Sequence, residues 1–358
     1  MTRNRRIVLF AVLIAILALV VLRLMLPAIV ERTVNTRLQR MGDYSGRVHD
    51  VDIALWRGAY TLHGLRIDKV DGEVPVPLLD APRTVISLSW RHLLRGRIVA
   101  EALFDQPTVH FVDGRQDGDS QTGRGVDWRA RLEALTPTRV DEVVIRDGRV
   151  VFHNFVSEPP VDIDMTGVEA TVRNLTNVRD EAGERVAELE VTGTARGGAR
   201  IESDARFDPI DRDGDFQFAL RVLDIDLTEV NDLAQAYANL DFESGTGELI
   251  LEIEADDGRL TGYAKPLFKD IQIFSWRNDL ADDKANPFRI AWEAVVEGVT
   301  TVFKNQPADQ FATRIEISGD LGDAELGTLS AVVGVLRNAF VQALQPYFEG
   351  THLRPRDT

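Results

Sequence analysis

The chain has 358 residues, with 41 Lys and Arg against 57 Asp and Glu, a formal charge of −16, and no cysteine. That charge argues against a nucleic-acid partner, which needs a basic face to displace phosphate counterions. The missing thiols exclude disulfide scaffolds, thiolate zinc sites, iron–sulfur clusters and cysteine nucleophiles. The charge is also unevenly spread: residues 1–40 hold seven Arg and one Glu, a local +6, which leaves −22 for the rest of the chain.

The basic head is also the oily one. Ile7 to Leu22 are sixteen consecutive apolar residues, and after Arg23 the run resumes with Leu24, Met25 and Leu26. A spanning helix needs about 20 mostly apolar residues, which residues 7–30 supply if Arg23 snorkels to the headgroups. Arg3, Arg5 and Arg6 would also suit a cleavable signal peptide, but no small-x-small site follows the run, so an uncleaved signal-anchor is expected. Arg32, Arg37 and Arg40 nearly balance the positive-inside count, so orientation rests on the short tail 1–6 as a cytoplasmic remnant. Residues 31–43 then read as a stalk, 44–350 as an exported β-rich body, and 351–358 as a tail.

Period-two patterning dominates the body, the signature of strands with one apolar face. Val51, Ile53 and Leu55 alternate with polar or small neighbours, as do Thr84, Ile86, Leu88 and Trp90. The pattern returns at Val161 and Ile163, at Ala187, Leu189 and Val191, at Phe216, Phe218, Leu220 and Val222, and at Leu249, Leu251 and Ile253. One dry face and one wet face is the antiparallel style. Asp71-Gly72, Asp147-Gly148, Asp213-Gly214 and Asp257-Gly258 are expected as tight turns, because Asp-Gly adopts the positive φ angles a hairpin needs. Asp147-Gly148 splits two apolar arms between Val143 and Phe152. The apolar phase switches from odd to even positions at Gly167, which predicts a bulge there.

Helices are fewer. A short one is predicted over Val126–Leu135, another over Thr228–Leu240 with Thr228 as N-cap, and an amphipathic one over Pro287–Phe303. A strand near Thr313–Ser318 precedes a final helix from Ala324, whose stripe runs from Leu326 to Tyr347. The polar run Asp113–Arg124 reads as a loop. The fold class expected is α+β and β-rich, with an N-terminal transmembrane helix, a mostly antiparallel sheet and a few packing helices.

No catalytic constellation emerges. The six histidines are scattered over different predicted elements with no metal-ligand spacing, and His110 and His153 read as ordinary strand side chains. An EF-hand alignment of Asp211, Asp213, Gly214 and Asp215 places Pro209 and Leu220 at ligand positions and fails. Asp162/Asp164 and Glu252/Glu254 fall on polar strand faces, as solvated surface. No enzyme activity, metal or cofactor is expected. The apolar strand faces leave two readings open: a core closed by the helices, or a face partly open as a groove, for which an acyl chain beside a membrane is the natural ligand. The groove candidates are Val161, Ile163, Phe216, Phe218, Leu220, Leu249, Leu251 and Ile253.

The order of motifs resembles the bacterial AsmA-like envelope proteins, in the branch catalogued as domain of unknown function 748. The resemblance runs through VHDVDIALWRGAYTLHGLRI (Val48 to Ile67), SLSWRHLLRGRIVAEALFDQPTVHF (Ser87 to Phe111) and VDEVVIRDGRVVFHN (Val140 to Asn154). It continues through VDIDMTGVEATVRNLTN, LDIDLTEVNDLAQAYANLDFESGTGEL and LRNAFVQAL, covering roughly residues 5–350. The resemblance implies a single-pass inner-membrane anchor, a periplasmic body with a curved, oil-lined sheet, and phospholipid as a partner in envelope biogenesis. The rival expectation is a scaffold with a sealed core that recruits other envelope proteins through an edge strand or the C-terminal helix.

Overall fold

The computed structural model describes residues 3–70, 74–94, 98–114, 118–121, 138–176, 186–208, 215–238, 240–276, 310–312 and 314–320. The predicted helices at Val126–Leu135, Pro287–Phe303 and beyond Ala324 lie outside these residues. So do the turns Asp71-Gly72 and Asp213-Gly214, much of the loop Asp113–Arg124, and the C-terminal tail.

The described chain is β-rich, with one large, mostly antiparallel sheet and few helices. Helix α1 (Arg3–Leu38) leads into β1 (Tyr44–Arg47), β2 (Asp50–Ala54), β3 (Ala59–Lys69) and β4 (Leu79–Leu88). A single helical turn, α2 (Trp90–Leu93), precedes β5 (Ile98–Asp105), β6 (Thr108–Val112), β7 (Thr138–Asn154) and β8 (Val161–Thr176). Then come β9 (Ala187–Ala195), β10 (Arg200–Phe207), β11 (Phe216–Asp226), helix α3 (Asn231–Ala238), β12 (Leu240–Asp256) and β13 (Arg259–Trp276). Two short strands, β14 (Gln310–Ala312) and β15 (Ile315–Asp320), both pair with β13.

From β7 to β13 each strand pairs with the next in sequence, antiparallel throughout. The β12–β13 hairpin turns on Asp257-Gly258 (φ 49° and 74°), with Asp256 opposite Arg259. Positive φ at both central residues is the geometry Asp-Gly was expected to supply. Gly167 (φ 58°) interrupts the β8 register between Thr166 and Glu169, so the phase switch in the sequence is a real bulge.

The N-terminal part departs from the meander. β5 and β6 are one strand broken at Gln106-Pro107, and both lie between β4 and β7. Their pairing with β7 is parallel, the only parallel pairing among the described strands. Asp147-Gly148 does not turn a hairpin: it is a bulge inside the uninterrupted β7, opposite the break in its neighbour. Asp147 takes φ 48° there and Gln106 φ 54°. The two breaks are tied together, since Gln106 N donates to Arg146 O (2.9 Å) and Gln106 Nε2 to Asp147 Oδ2 (2.9 Å). The same sequence cue therefore gives a turn where the following arm folds back, and a bulge where a parallel partner already holds both arms.

The cap of the α3 region also differs from expectation. A 3-10 turn over Leu227–Val230 precedes α3, and Asp226 rather than Thr228 is the cap. Its carboxylate accepts from Thr228 N (3.0 Å) and from the Thr228 hydroxyl (2.7 Å). An ionised acceptor at a helix start also complements the peptide dipoles, which a hydroxyl does not. Leu240, read as the helix end, instead starts β12.

Residues 31–38, read as stalk, are the final turns of α1, docked on the sheet. Val30, Val34 and Leu38 pack against the buried cluster Val48, Val51, Leu62, Leu65 and Ala81. Met41 and Tyr44 continue the contact onto Ile67 and Leu78. Asn35 holds both backbone groups of Val48: its Oδ1 accepts from Val48 N (2.7 Å) and its Nδ2 donates to Val48 O (3.2 Å). Among the described residues no helix is long and apolar enough to cross a membrane. Most side chains of residues 7–20 lie outside the described ones.

Replacing Asn35 with Ala leaves two part-buried backbone groups of Val48 unpaired. We expect a loss of about 1–3 kcal/mol, read as a lower midpoint in thermal or denaturant melts of the full chain in detergent.

Candidate functional site

Paired residues on neighbouring strands share a face of the sheet, so the register can be followed from one edge to the other. Ile53 lies opposite Tyr60, Tyr60 opposite Ile86, and Ile86 opposite Ala102. The row passes to Val143 and Val172, then to Leu189, Ala205, Phe218 and Ile253. It ends at Gly262 and Ile317. No residue along it is charged. A second row beside it runs from Val51 and Leu62 through Phe104, Ile145, Ala170 and Val191 to Leu220, Leu251 and Ala264. Its two hydroxyl residues are Thr84 and Ser203, and the Ser203 hydroxyl donates to Ala219 O (2.9 Å).

The opposite face of the later strands is ionic. Arg173 reaches Glu190 (3.2 Å) and Glu142 (3.7 Å), Arg206 reaches Glu188 (3.5 Å), and Arg221 reaches Glu202 (3.2 Å). These pairs are solvent-exposed, so each contributes little to stability; they mark which face water occupies. The acidic pairs noted in the sequence belong to this face. Asp164 meets Arg149 (2.8 Å), and Glu254 accepts from Gln217 (3.0 Å).

The eight groove candidates divide into three groups. Phe216, Phe218, Leu251 and Ile253 are buried in one cluster with Ala255, Leu260 and Ala264, and Leu220 packs at its margin. Leu249 lies opposite Val222 on the same face, half-buried and outside the cluster. Val161 and Ile163 sit on β8, opposite Asn154 and Phe152, away from the other six. Val161 is buried and Ile163 half-buried. The apolar face is thus packed tight at β11–β13 and covered by α1 at β2–β4. From β8 to the far part of β11, Val172, Leu189, Val191, Leu220 and Val222 are only half-buried.

Parallel pairing of β6 with β7 creates a feature that sequence spacing concealed. His110 and His153, 43 residues apart, meet with Nδ1 and Nε2 2.9 Å apart and rings stacked at 5.2 Å. One ring donates and the other accepts, so the pair shares a single hydrogen. Phe155 also stacks on His153, with ring centroids 4.9 Å apart. His153 Nδ1 is buried with no hydrogen-bond partner among the described residues, and Asp162 Oδ1 stands 3.6 Å away. Burial pushes both imidazoles below the ordinary histidine value, and Arg149 pushes the same way. The charge of His153 lowers His110 further, while Asp162 opposes the shift at both rings and Asp80 at His110. Two histidines and a carboxylate beyond bonding distance make a packed polar pair rather than a metal centre. The one grouping with ligand-like spacing among the described residues is Asp215, Asp256 and Asp257, an exposed acidic turn in which Asp215 already accepts from Asp257 N (2.9 Å).

A lowered histidine pKa favours the folded state while both rings are neutral. Stability is therefore expected to be full above the unfolded histidine value of about 6.5. It should fall as pH drops through the lower folded values. Denaturant melts across this range check the expectation, and the double variant H110Q/H153Q should show a shallower fall.

Comparison of the chain with protein-family models and with curated proteins returns no match.

Proposed function

We propose that this is a non-enzymatic, membrane-anchored envelope protein of AsmA-like type that holds or passes phospholipid acyl chains along its apolar sheet face. The observation that carries the reading is the uncharged row that stays in register from β2 to β15. A globular core needs an apolar patch; it does not need one uninterrupted row across twelve strands. Residues of positive φ at Gly64, Gln106, Asp147 and Gly167 fall at neighbouring register positions on β3, the β5–β6 break, β7 and β8, and the last two are bulges. A bulge bends its strand, which supports a sheet curved into a groove.

The anchor reading draws on α1. The sixteen-residue apolar run lies wholly within this helix, and Phe10, Leu13, Ile14, Leu17, Leu24 and Met25 are all more than half exposed. Such side chains are suited to hydrocarbon rather than water. Arg3, Arg5 and Arg6 would face the cytoplasm and the acidic body the periplasm. Binding would be burial of methylenes at roughly 0.8 kcal/mol each, with little demand on direction. The half-buried stretch Val172, Leu189, Val191, Leu220, Val222 and Leu249 is where chains would lie.

Complete burial of Leu251 and Ala264 (0 % exposed each) favours a second reading, in which the face is a sealed core and the protein a scaffold. Photo-crosslinking in native membranes separates the two. With benzoylphenylalanine at Val191, Leu220 or Leu249, the lipid reading expects phospholipid adducts by mass spectrometry, and none at Glu190 or Glu252 on the ionic face. Absence of adducts at all three apolar positions sinks it.

Substitutions should separate in the same way. Leu251→Ala is expected to cost about 2–5 kcal/mol of stability. Leu249→Glu, at a half-buried site, should abolish the adduct at position 220 while leaving the melting midpoint within a few degrees.

A further inference from the structure

We propose that the end of the sheet bearing the turns at 55–58 and 89–94 is a membrane-contact foot, seated in the headgroup layer of the bilayer that α1 enters. The proposal rests on the reading of α1 as an anchor and adds a second point of attachment, on the body itself. Outside α1, the exposed large hydrophobic residues among those described are Trp56 (72 %), Val70, Trp90, Leu94 (86 %) and Phe155. Three of the five belong to these two turns.

The turns form one patch. Leu88 N donates to Gly58 O (2.7 Å), and Trp90 lies over Gly58 so closely that a Cβ there would stand 2.7 Å from its Nε1. The patch is also joined to the helix, since the Arg23 guanidinium lies 5.6 Å from the centre of the Trp56 ring. Arg23 is the residue that ends the sixteen-residue apolar run. That run is about 24 Å long at about 1.5 Å per residue, short of a hydrocarbon core of about 30 Å. The Arg23 side chain makes up that difference of about 6 Å by snorkelling to the headgroup boundary, and Trp56 lies beside its guanidinium there. Tryptophan, with an apolar ring and a polar N–H, favours that depth.

Charge points to the same occupant. Residues 54–59 and 88–98 contain no acid, although the chain beyond residue 40 carries −22. Arg57 and Arg91 are exposed there. A basic, tryptophan-bearing patch on an otherwise acidic body suits anionic headgroups. The rest of the body would be repelled by the same surface.

The absence of native cysteine allows a direct test on the full chain. Single-cysteine variants Leu94→Cys, Leu17→Cys and Arg196→Cys carry a nitroxide in vesicles of phosphatidylethanolamine and phosphatidylglycerol. Collision with oxygen is then compared with collision with a water-soluble nickel chelate. Position 17 reports the anchor, and position 196, in the β9–β10 turn, reports water. The proposal expects oxygen to dominate at 94 as at 17, and nickel at 196. Adding R57E/R91E should shift position 94 toward nickel. If 94 behaves like 196 while 17 stays in the bilayer, the anchor holds and the foot is refuted. Shielding of 94 from both reagents would mean that protein covers it, and also refutes the proposal. If 17 itself reads as water, the anchor reading fails and takes the foot with it.

Discussion

Everything described above depends on side-chain alternation staying in phase from strand to strand. A strand has a period of two, so one extra residue sends every following side chain to the wrong face. In this sheet the extra residues come in compensating sets. The bulge at Asp147 in β7 is followed at the next register position by the bulge at Gly167 in β8, and apolar partners resume as Val150 opposite Met165. Likewise Gly64 in β3 interrupts the pairing with β4, after which Leu65 meets Ala81 and Ile67 meets Leu79. The dry face survives each irregularity because two neighbouring strands slip together.

Parallel pairing around β7 is the structural exception, and it organises the polar side. A strand split in two by Gln106-Pro107 lies against a single strand carrying its own bulge, and hydrogen bonds from Gln106 join the two breaks. On the face away from the apolar row this arrangement brings His110 to His153 and Arg149 to Asp164. The histidine pair is therefore a by-product of topology, and its lowered basicity follows from packing between Phe155 and neighbouring strands rather than from any charge relay.

The legible parts of the sequence were those whose cause is local. Alternation located the strands, the Asp257-Gly258 pair its hairpin, and the phase switch at Gly167 its bulge, because each depends on a few adjacent residues. Asp147-Gly148 misled, since the same dipeptide bulges when a parallel partner holds both arms, and parallel partners leave no local mark. The docking of Val34 and Leu38 was equally hidden: the end of an apolar helix carries no sign of whether lipid or a sheet covers it. Of the groove candidates, alternation correctly grouped Phe216, Phe218, Leu251 and Ile253 on one face. Which of its residues are sealed and which half-open is set by what packs over each one, and no spacing encodes that.

The uncharged row also has a length. Twelve strands at about 4.8 Å apart measure roughly 53 Å from first to last, whereas one leaflet of hydrocarbon is about 15 Å deep, half of a core of about 30 Å. On the proposed lipid reading, however, the half-buried stretch spans only β8 to β12, roughly 19 Å, so a single lipid would fill most of it. Occupancy would then be one berth rather than a queue, and passage would wait on the packed ends of the row opening.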